Sequence, residues 1–412
     1  MITPVTPPLT QALLRDGFTL THYSVLVVWG WFLYSFNPSV PLLAEDLGVS
    51  KAVGGLHGTA MAAGAITAAL ALPRLLRLLG RRRLLTASLV TIALGVTCFV
   101  LAPGIGLTLP SIAAVALGGN VALSVAQLNL SQRHGAAAPA AISEANGAGS
   151  GIGLLAPLAV GLAVGLGWGW RAAVAVSVVL ALTVALAVSR LPRDVPGQGL
   201  VADAQDPVPD APPVAAPESA PARPRLAPGT PGLLVALVAA MTLENATTYW
   251  STSLVLERTG AHASIATATT AGLLIGMTVV RFLGTTLTRR FGADRVLVAS
   301  FVLAIAGWAV LWTAHAPAVA VGGLVVAGLG YGAQYPLSIG LLLGIAREGA
   351  DRAQAVATFV AGATVGIAPF LLGAAADLVG THAAFVVIPV MALLGAVGAA
   401  LGTRRARAHG LL

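Results

Sequence analysis

Three ionisable residues, Glu244, Arg281 and His57, stand inside long apolar runs of this 412-residue sequence. Glu244 falls about 13 residues into an apolar run that opens near residue 231, and Asn245, Thr247, Thr248, Tyr249 and Trp250 follow it. A carboxylate surrounded by hydrocarbon is poorly solvated, which favours its protonated form and suits proton coupling or substrate binding. The plainer alternative is a neutral glutamate hydrogen-bonded to a neighbouring helix. Arg281 could bind an anionic solute or pair with Glu244, although their depths along straight helices differ by about 10 Å. It could equally snorkel to an interface. His57, whose ordinary pKa lies near about 6.5, could relay protons or simply bond to nearby backbone.

Uncharged polar residues gather in the same runs. Tyr34 and Asn37 precede Pro38; Asn120, Ser124 and Gln127 recur at helical spacings of three and four; Tyr331, Gln334 and Tyr335 precede Pro336; and Asn146 stands alone. Each could face a solute or tie two helices together. Other chemistries are not visible. No nucleotide-binding Gly-x-x-x-x-Gly-Lys-Ser/Thr pattern, metalloprotease helix or His/Cys cluster is present, and paired catalytic residues are missing. The reading is therefore no enzyme, no metal and no cofactor. The single cysteine, Cys98, excludes an internal disulfide.

The elements that carry these residues must be membrane helices. Hydrophobic residues make up 57% of the chain and charged residues 9%, against about 25% charged in soluble domains. Continuous apolar runs fit helices of about 20 residues rather than the alternating segments of a barrel. Spans are expected at 22–43, 52–73, 84–102, 109–131, 140–164 and 170–190, then at 231–255, 264–286, 296–314, 317–346, 355–378 and 383–402. The tenth is over-long and is expected to begin or end in a loop. Residues 1–21 form an N-terminal segment, without a signal-peptide pattern, and 403–412 a tail. Between the halves 22–190 and 231–402, the Pro-, Ala- and acid-rich stretch 191–230 reads as a disordered linker.

With both termini placed inside, 19 of the 23 Lys and Arg residues fall on the cytoplasmic side, three on the outer side, and Arg281 within a span. That asymmetry predicts a multi-pass protein of the cytoplasmic membrane with both ends cytoplasmic. The net charge of +8 thus sits in short loops facing membrane lipids, and nucleic acid is not an expected partner. The halves also look duplicated. Residues 42–95 and 254–307, offset by 212, match at 13 of 54 positions, including Glu45/Glu257, Arg77/Arg289, Gly80/Gly292 and Arg83/Arg295.

Several local patterns resemble the major facilitator superfamily. The first outer loop reads Pro41-Leu42-Leu43-Ala44-Glu45-Asp46-Leu47-Gly48; Gly80-Arg81-Arg82-Arg83 resembles the basic end of the family's cytoplasmic loop motif, with a second copy in Arg289-Arg290-Phe291-Gly292; and Gly169-Trp170-Arg171 opens the sixth span. Gly366 to Gly373, then Asp377 and Gly380, complete the likeness. The loop motif's usual acid is replaced by Arg77, and by Arg289 in its repeat, so that charge pairing is not carried over. The antiporter pattern of the fifth span is incomplete, with Ala156 before Pro157.

The resemblance implies an all-α fold of twelve spans in two pseudo-symmetric six-helix halves and transport by alternating access. It also implies a monomer and a cavity lined by spans one, four, seven and ten. Candidate substrate residues are then Tyr34, Asn37, Asn120, Ser124, Gln127, Asn146, Asn245, Thr248, Tyr249, Trp250, Tyr331, Gln334 and Tyr335, with Glu244, Arg281 and His57 for protons. An arginine in span eight with a glutamate in span seven is similar to fucose-permease-like members. The expected function is secondary transport of a small organic solute, proton-coupled; the alternative is a proton-coupled multidrug exporter.

Overall fold

A computed structural model describes residues 14–191, 227–346 and 350–412. Residues 1–13 and most of the expected linker, 192–226, lie outside the described residues. Among the described residues every regular element is helical. The first half comprises α1 (Gly17–Phe36), α2 (Val40–Asp46), α3 (Lys51–Leu101), α4 (Ile105–His134), α5 (Ala138–Gly153), α6 (Leu155–Gly165) and α7 (Trp170–Arg190). The second comprises α8 (Thr230–Thr259), α9 (Ala263–Phe291), α10 (Ala293–Trp312), α11 (Pro317–Ala346), α12 (Ala350–Val379), α13 (Thr381–Ala384) and α14 (Val387–Ala408).

Eleven stretches are long and apolar enough to cross a membrane, and one of them, Lys51–Leu101, has 51 residues. At 1.5 Å per residue it is far too long for one crossing of about 30 Å. It turns back at Gly80, whose φ of 68° and ψ of 163° interrupt the helix. Counted as two arms, it brings the crossings to twelve. The halves repeat each other's packing: the second arm of α3 lies against α4 and α7 as α10 lies against α11 and α14.

Some boundaries differ from expectation. The tenth span is one unbroken helix, α11, because mostly Gly, Ala and aliphatic residues run to Ala346 without a charged residue, and Pro336 is accommodated inside it. The fifth span is divided at Leu154 into α5 and α6. Helix α1 starts at Gly17 within the expected terminal segment, because Asp16 caps it by accepting from the Thr19 amide at 2.9 Å. The expected tail is helical as far as Ala408.

Among the described residues, the halves pack most closely at one end, the end that carries Lys51 and Arg258. The first arm of α3 packs on the last turns of α12, and α6 packs on the start of α9. The α3–α12 seam is built by glycines on both sides. A Cβ on Gly55 would lie 2.7 Å from the Pro369 oxygen and the Phe370 Cα, and one on Gly373 would lie 2.5 Å from the Lys51 oxygen. Thr59 donates to the Gly366 carbonyl at 2.5 Å. At the rim the Asp377 carboxylate accepts from the first two amides of α3, Lys51 at 2.9 Å and Ala52 at 2.8 Å, and Lys51 Nζ reaches Thr381 Oγ1. Thus a carboxylate of one half caps a helix of the other, satisfying amides that a helix leaves without partners.

At the opposite, Arg-rich end the halves do not pack in this way. Helix α5 turns to α1 and α4, whereas its continuation α6 holds α9. Ile66 and Leu70 on α3, Phe282 on α9 and Phe359 on α12 are all exposed.

Candidate functional site

Between the closed end and the open end lies a cavity of about 360 Å³. Met241 and Glu244 of α8, Arg281 of α9, Tyr331, Tyr335 and Pro336 of α11, and Thr358, Gly362 and Val365 of α12 line it. Glu244 is at mid-length in the 30-residue α8 and half-buried; Arg281 is exposed to the cavity. They sense each other electrostatically yet form no ion pair within 4.0 Å. Tyr34 of α1, in the other half, lies near Ser150 and within electrostatic range of Arg281 and Glu244, although it is not among the lining residues. Tyr331 is anchored by a 3.0 Å bond between its hydroxyl and Thr247 Oγ1. An acid, a base and two phenols therefore line a space large enough for a small solute.

The other expected residues are not among those lining this cavity. His57 is fully buried, with Nδ1 2.8 Å from the Gly54 carbonyl, Nε2 3.0 Å from Thr108 Oγ1, and Phe36 and Phe99 against its ring. Trp250 is fully buried at the seam, where its indole N–H donates to the Pro369 carbonyl at 2.8 Å. Tyr249 donates to Met61 Sδ across the halves at 3.3 Å. Gln334 faces α10, donating to the Ser300 carbonyl at 3.3 Å, while its Oε1 is buried without a partner. Asn37 likewise has a buried Oδ1 without a partner. Asn120, Asn146 and Asn245 each donate to the carbonyl four residues earlier, Ser124 bonds to the Asn120 carbonyl and Thr248 to that of Glu244. Gln127 is half-buried on α4.

Two groups went unnoticed in the sequence. Ser150 sits in a Gly- and Ala-rich stretch that reads as plain helix packing. The Arg-rich ends of α1, α4 and α5 are joined by a polar ladder. Arg133 pairs with Asp16 at 2.6 Å, Thr19 meets His134 at 3.0 Å, His22 meets Asn129 at 2.9 Å, and Arg15 pairs with Glu144 at 2.6 Å. Desolvation pushes the Asp16 carboxyl up, but the Thr19 amide and hydroxyl and the Arg133 guanidinium outweigh it and hold the group at about 2.

Of the loop-motif residues, Gly80 and Gly292 adopt the same left-handed φ, at 68° and 85°. Arg81 bonds to Gln132 and Arg82 to the Ser189 carbonyl, whereas Arg83 is exposed. Arg289 and Arg290 end α9, Arg290 lying over the Phe291 ring. Among the described residues, no group of three or more His, Cys, Asp or Glu could hold a metal.

The sequence profile of the Major Facilitator Superfamily matches residues 23–277 and again 232–411. No curated protein matches the sequence. Similar solved structures include a bacterial homologue of the human lysosomal transporter Spinster, inward-facing and occupied, at 15% identity and a TM-score of 0.71 over 94% of this chain and 96% of that one. The nucleoside transporter NupG is 13% identical, with a TM-score of 0.71 over 94% and 98% of the two chains. The xylose transporter XylE from E. coli, inward open, is 14% identical, with a TM-score of 0.69 over 94% and 95%.

Proposed function

Because the chain belongs to the major facilitator superfamily, we propose that it moves a small organic solute, uncharged or singly charged, across the cytoplasmic membrane by alternating access, with Glu244 as the proton-coupling group. The observation that carries this reading is the convergence of Glu244, Arg281, Tyr331 and Tyr335 on one cavity of the second half, with Tyr34 of the first half within electrostatic range of its acid and its base. The arginine distribution supports placing that cavity's open end, and both termini, in the cytoplasm, and on this reading the conformation described is inward-facing.

Glu244 and Arg281 are close enough to interact and too far apart to neutralise each other directly. A solute entering between them replaces water as the partner of both, and the phenols of Tyr331 and Tyr335 offer donors and acceptors to its remaining polar groups. Protonation of Glu244 removes one charge from the pair, so the field felt by Arg281 and by the solute changes with the proton's presence. Coupling follows if the halves rock only when Glu244 is neutralised, by a proton or by the solute. Arg281 takes the counter-charge role in this scheme. His57 and Trp250 contribute by holding the closed end together, and the halves 22–190 and 231–402 are the rocking units of a monomer in contact with membrane lipids.

The test is a thermal-stability screen of the purified protein against sugars, organic acids, amino acids, nucleosides and drugs, since a ligand that binds the folded state raises Tm. A stabilising solute whose effect disappears in Glu244→Gln is expected, and the same solute should drive proton movement into proteoliposomes. A solute that stabilises Glu244→Gln and Arg281→Ala as well as the parent refutes the site.

A further inference from the structure

At the Arg-rich end, outside the transport cavity, the turn between the two arms of α3 forms a groove of about 560 Å³ with the end of α7. Leu79, Gly80, Arg81, Arg82, Arg83, Thr86 and Ser189 line it. The repeat makes this groove informative. Gly80 and Gly292 are equivalent and share one backbone conformation, so Arg82 corresponds to Asp294 and Arg81 to Ala293 at the offset of 212. In the second half the charge is balanced, because Asp294 pairs with Arg407 near the end of α14. In the first half Arg82 instead donates to the Ser189 carbonyl near the end of α7. The same bridge between the third or ninth crossing and the last crossing of its half is therefore made with opposite charge. The first-half version leaves three adjacent guanidiniums with no carboxylate within 4.0 Å among the described residues.

The groove also continues into an apolar surface. Ala87, Val90 and Leu94 form an exposed stripe along α3 at helical spacing, and Leu182 and Leu186 do so on the adjacent α7. Guanidiniums bind phosphate through charge-assisted, geometrically matched bonds, and basic pockets between membrane helices on the cytoplasmic side suit anionic headgroups. A free phosphate would use the arginines and not the stripes, whereas a phospholipid would use both.

We propose that the groove at Arg81, Arg82, Arg83 and Thr86 is a binding site for the phosphate-bearing headgroup of an anionic phospholipid, whose chains lie along the stripes of α3 and α7. In the second half Asp294 stands in the place of Arg82 and is paired with Arg407, so the lipid is assigned to the first half.

The test compares Tm of the full chain in neutral detergent with added phosphatidylglycerol, phosphatidylcholine of the same acyl chains, or inorganic phosphate. Phosphatidylglycerol alone should raise Tm by at least about 2 °C. The concentration needed should rise at least about tenfold in Arg83→Gln, which leaves the bonds of Arg81 and Arg82 in place and so should fold normally. It should rise further in Arg82→Gln/Arg83→Gln and stay unchanged in Arg289→Gln/Arg290→Gln. An equal response to phosphatidylcholine, a full response to inorganic phosphate, or the same phosphatidylglycerol response in Arg83→Gln and the control overturns the proposal. So does the absence of any response, as would follow if the acid-bearing segment 192–226 filled the groove.

Discussion

Replacing Gly55 by alanine should open the closed end. The added Cβ would sit 2.7 Å from the Phe370 Cα and the Pro369 oxygen, where ordinary contact begins at 3.4 Å. Both are backbone atoms, so no side chain can swing aside. The two helices must part by roughly 0.7 Å, and overpacking of this kind costs about 1–3 kcal/mol. The cost falls only on the conformation in which α3 touches α12. The equilibrium should therefore shift toward the outward-open form by about 5- to 150-fold. The assay uses Val40, which is fully buried beside Gly54. In a Cys98→Ala background, Val40→Cys reacts with a membrane-impermeant maleimide only when the seam is open, so its rate reports the open population. Adding Gly55→Ala should raise that rate by the same factor, and Gly104→Ala, where a Cβ meets nothing within 4 Å, should leave it alone. A rate within about twofold of the parent in Gly55→Ala, with Tm unchanged, would refute the view that the seam is a rigid closure.

Asp377→Asn keeps the shape of the cap but removes its charge, and should raise the same maleimide rate about 2- to 5-fold. Trp250→Phe leaves the buried Pro369 carbonyl without its donor and should cost about 1–3 kcal/mol, read as a lowered Tm in thermal unfolding. The Asp16 carboxyl is held at about 2 in the folded protein against an ordinary 3.8. Its contribution to stability is therefore present above 3.8 and lost as pH falls toward and through 2. A plot of Tm against pH should show Asp16→Asn below the parent at neutral pH and the two curves converging across that window.

The architecture was legible because hydrocarbon imposes it. Apolar runs of spanning length, arginines gathered on one side and an offset of 212 leave little freedom in the number and pairing of helices. Gly80 could be read as a loop, because a single residue with positive φ looks the same in sequence whether it ends a helix or bends one. The site was half legible. Glu244, Arg281, Tyr331 and Tyr335 stood out and line one cavity, and Tyr34 stood out and lies near it. Gln334, Trp250 and His57 stood out equally and turn toward helix contacts. In soluble helices an apolar stripe says which face is inside; here lipid and core are both apolar, so α8 and α11 carry no such mark. Ser150 was missed for the same reason, and Asp377 was legible as part of a family pattern but not as a cap, because the end of a helix is an unremarkable place for an acid.

Gly80 is the whole of the connection between two membrane crossings. Its free rotation lets the arms of α3 point in different directions, yet a joint of one residue has no slack. When the first arm tilts to open or close the seam, the second arm and the arginines at its start must be carried along, because no intervening loop can absorb the displacement. Displacement at the end of the first arm is thereby passed to the start of the second, and lengthening the joint by a few residues would disconnect the two.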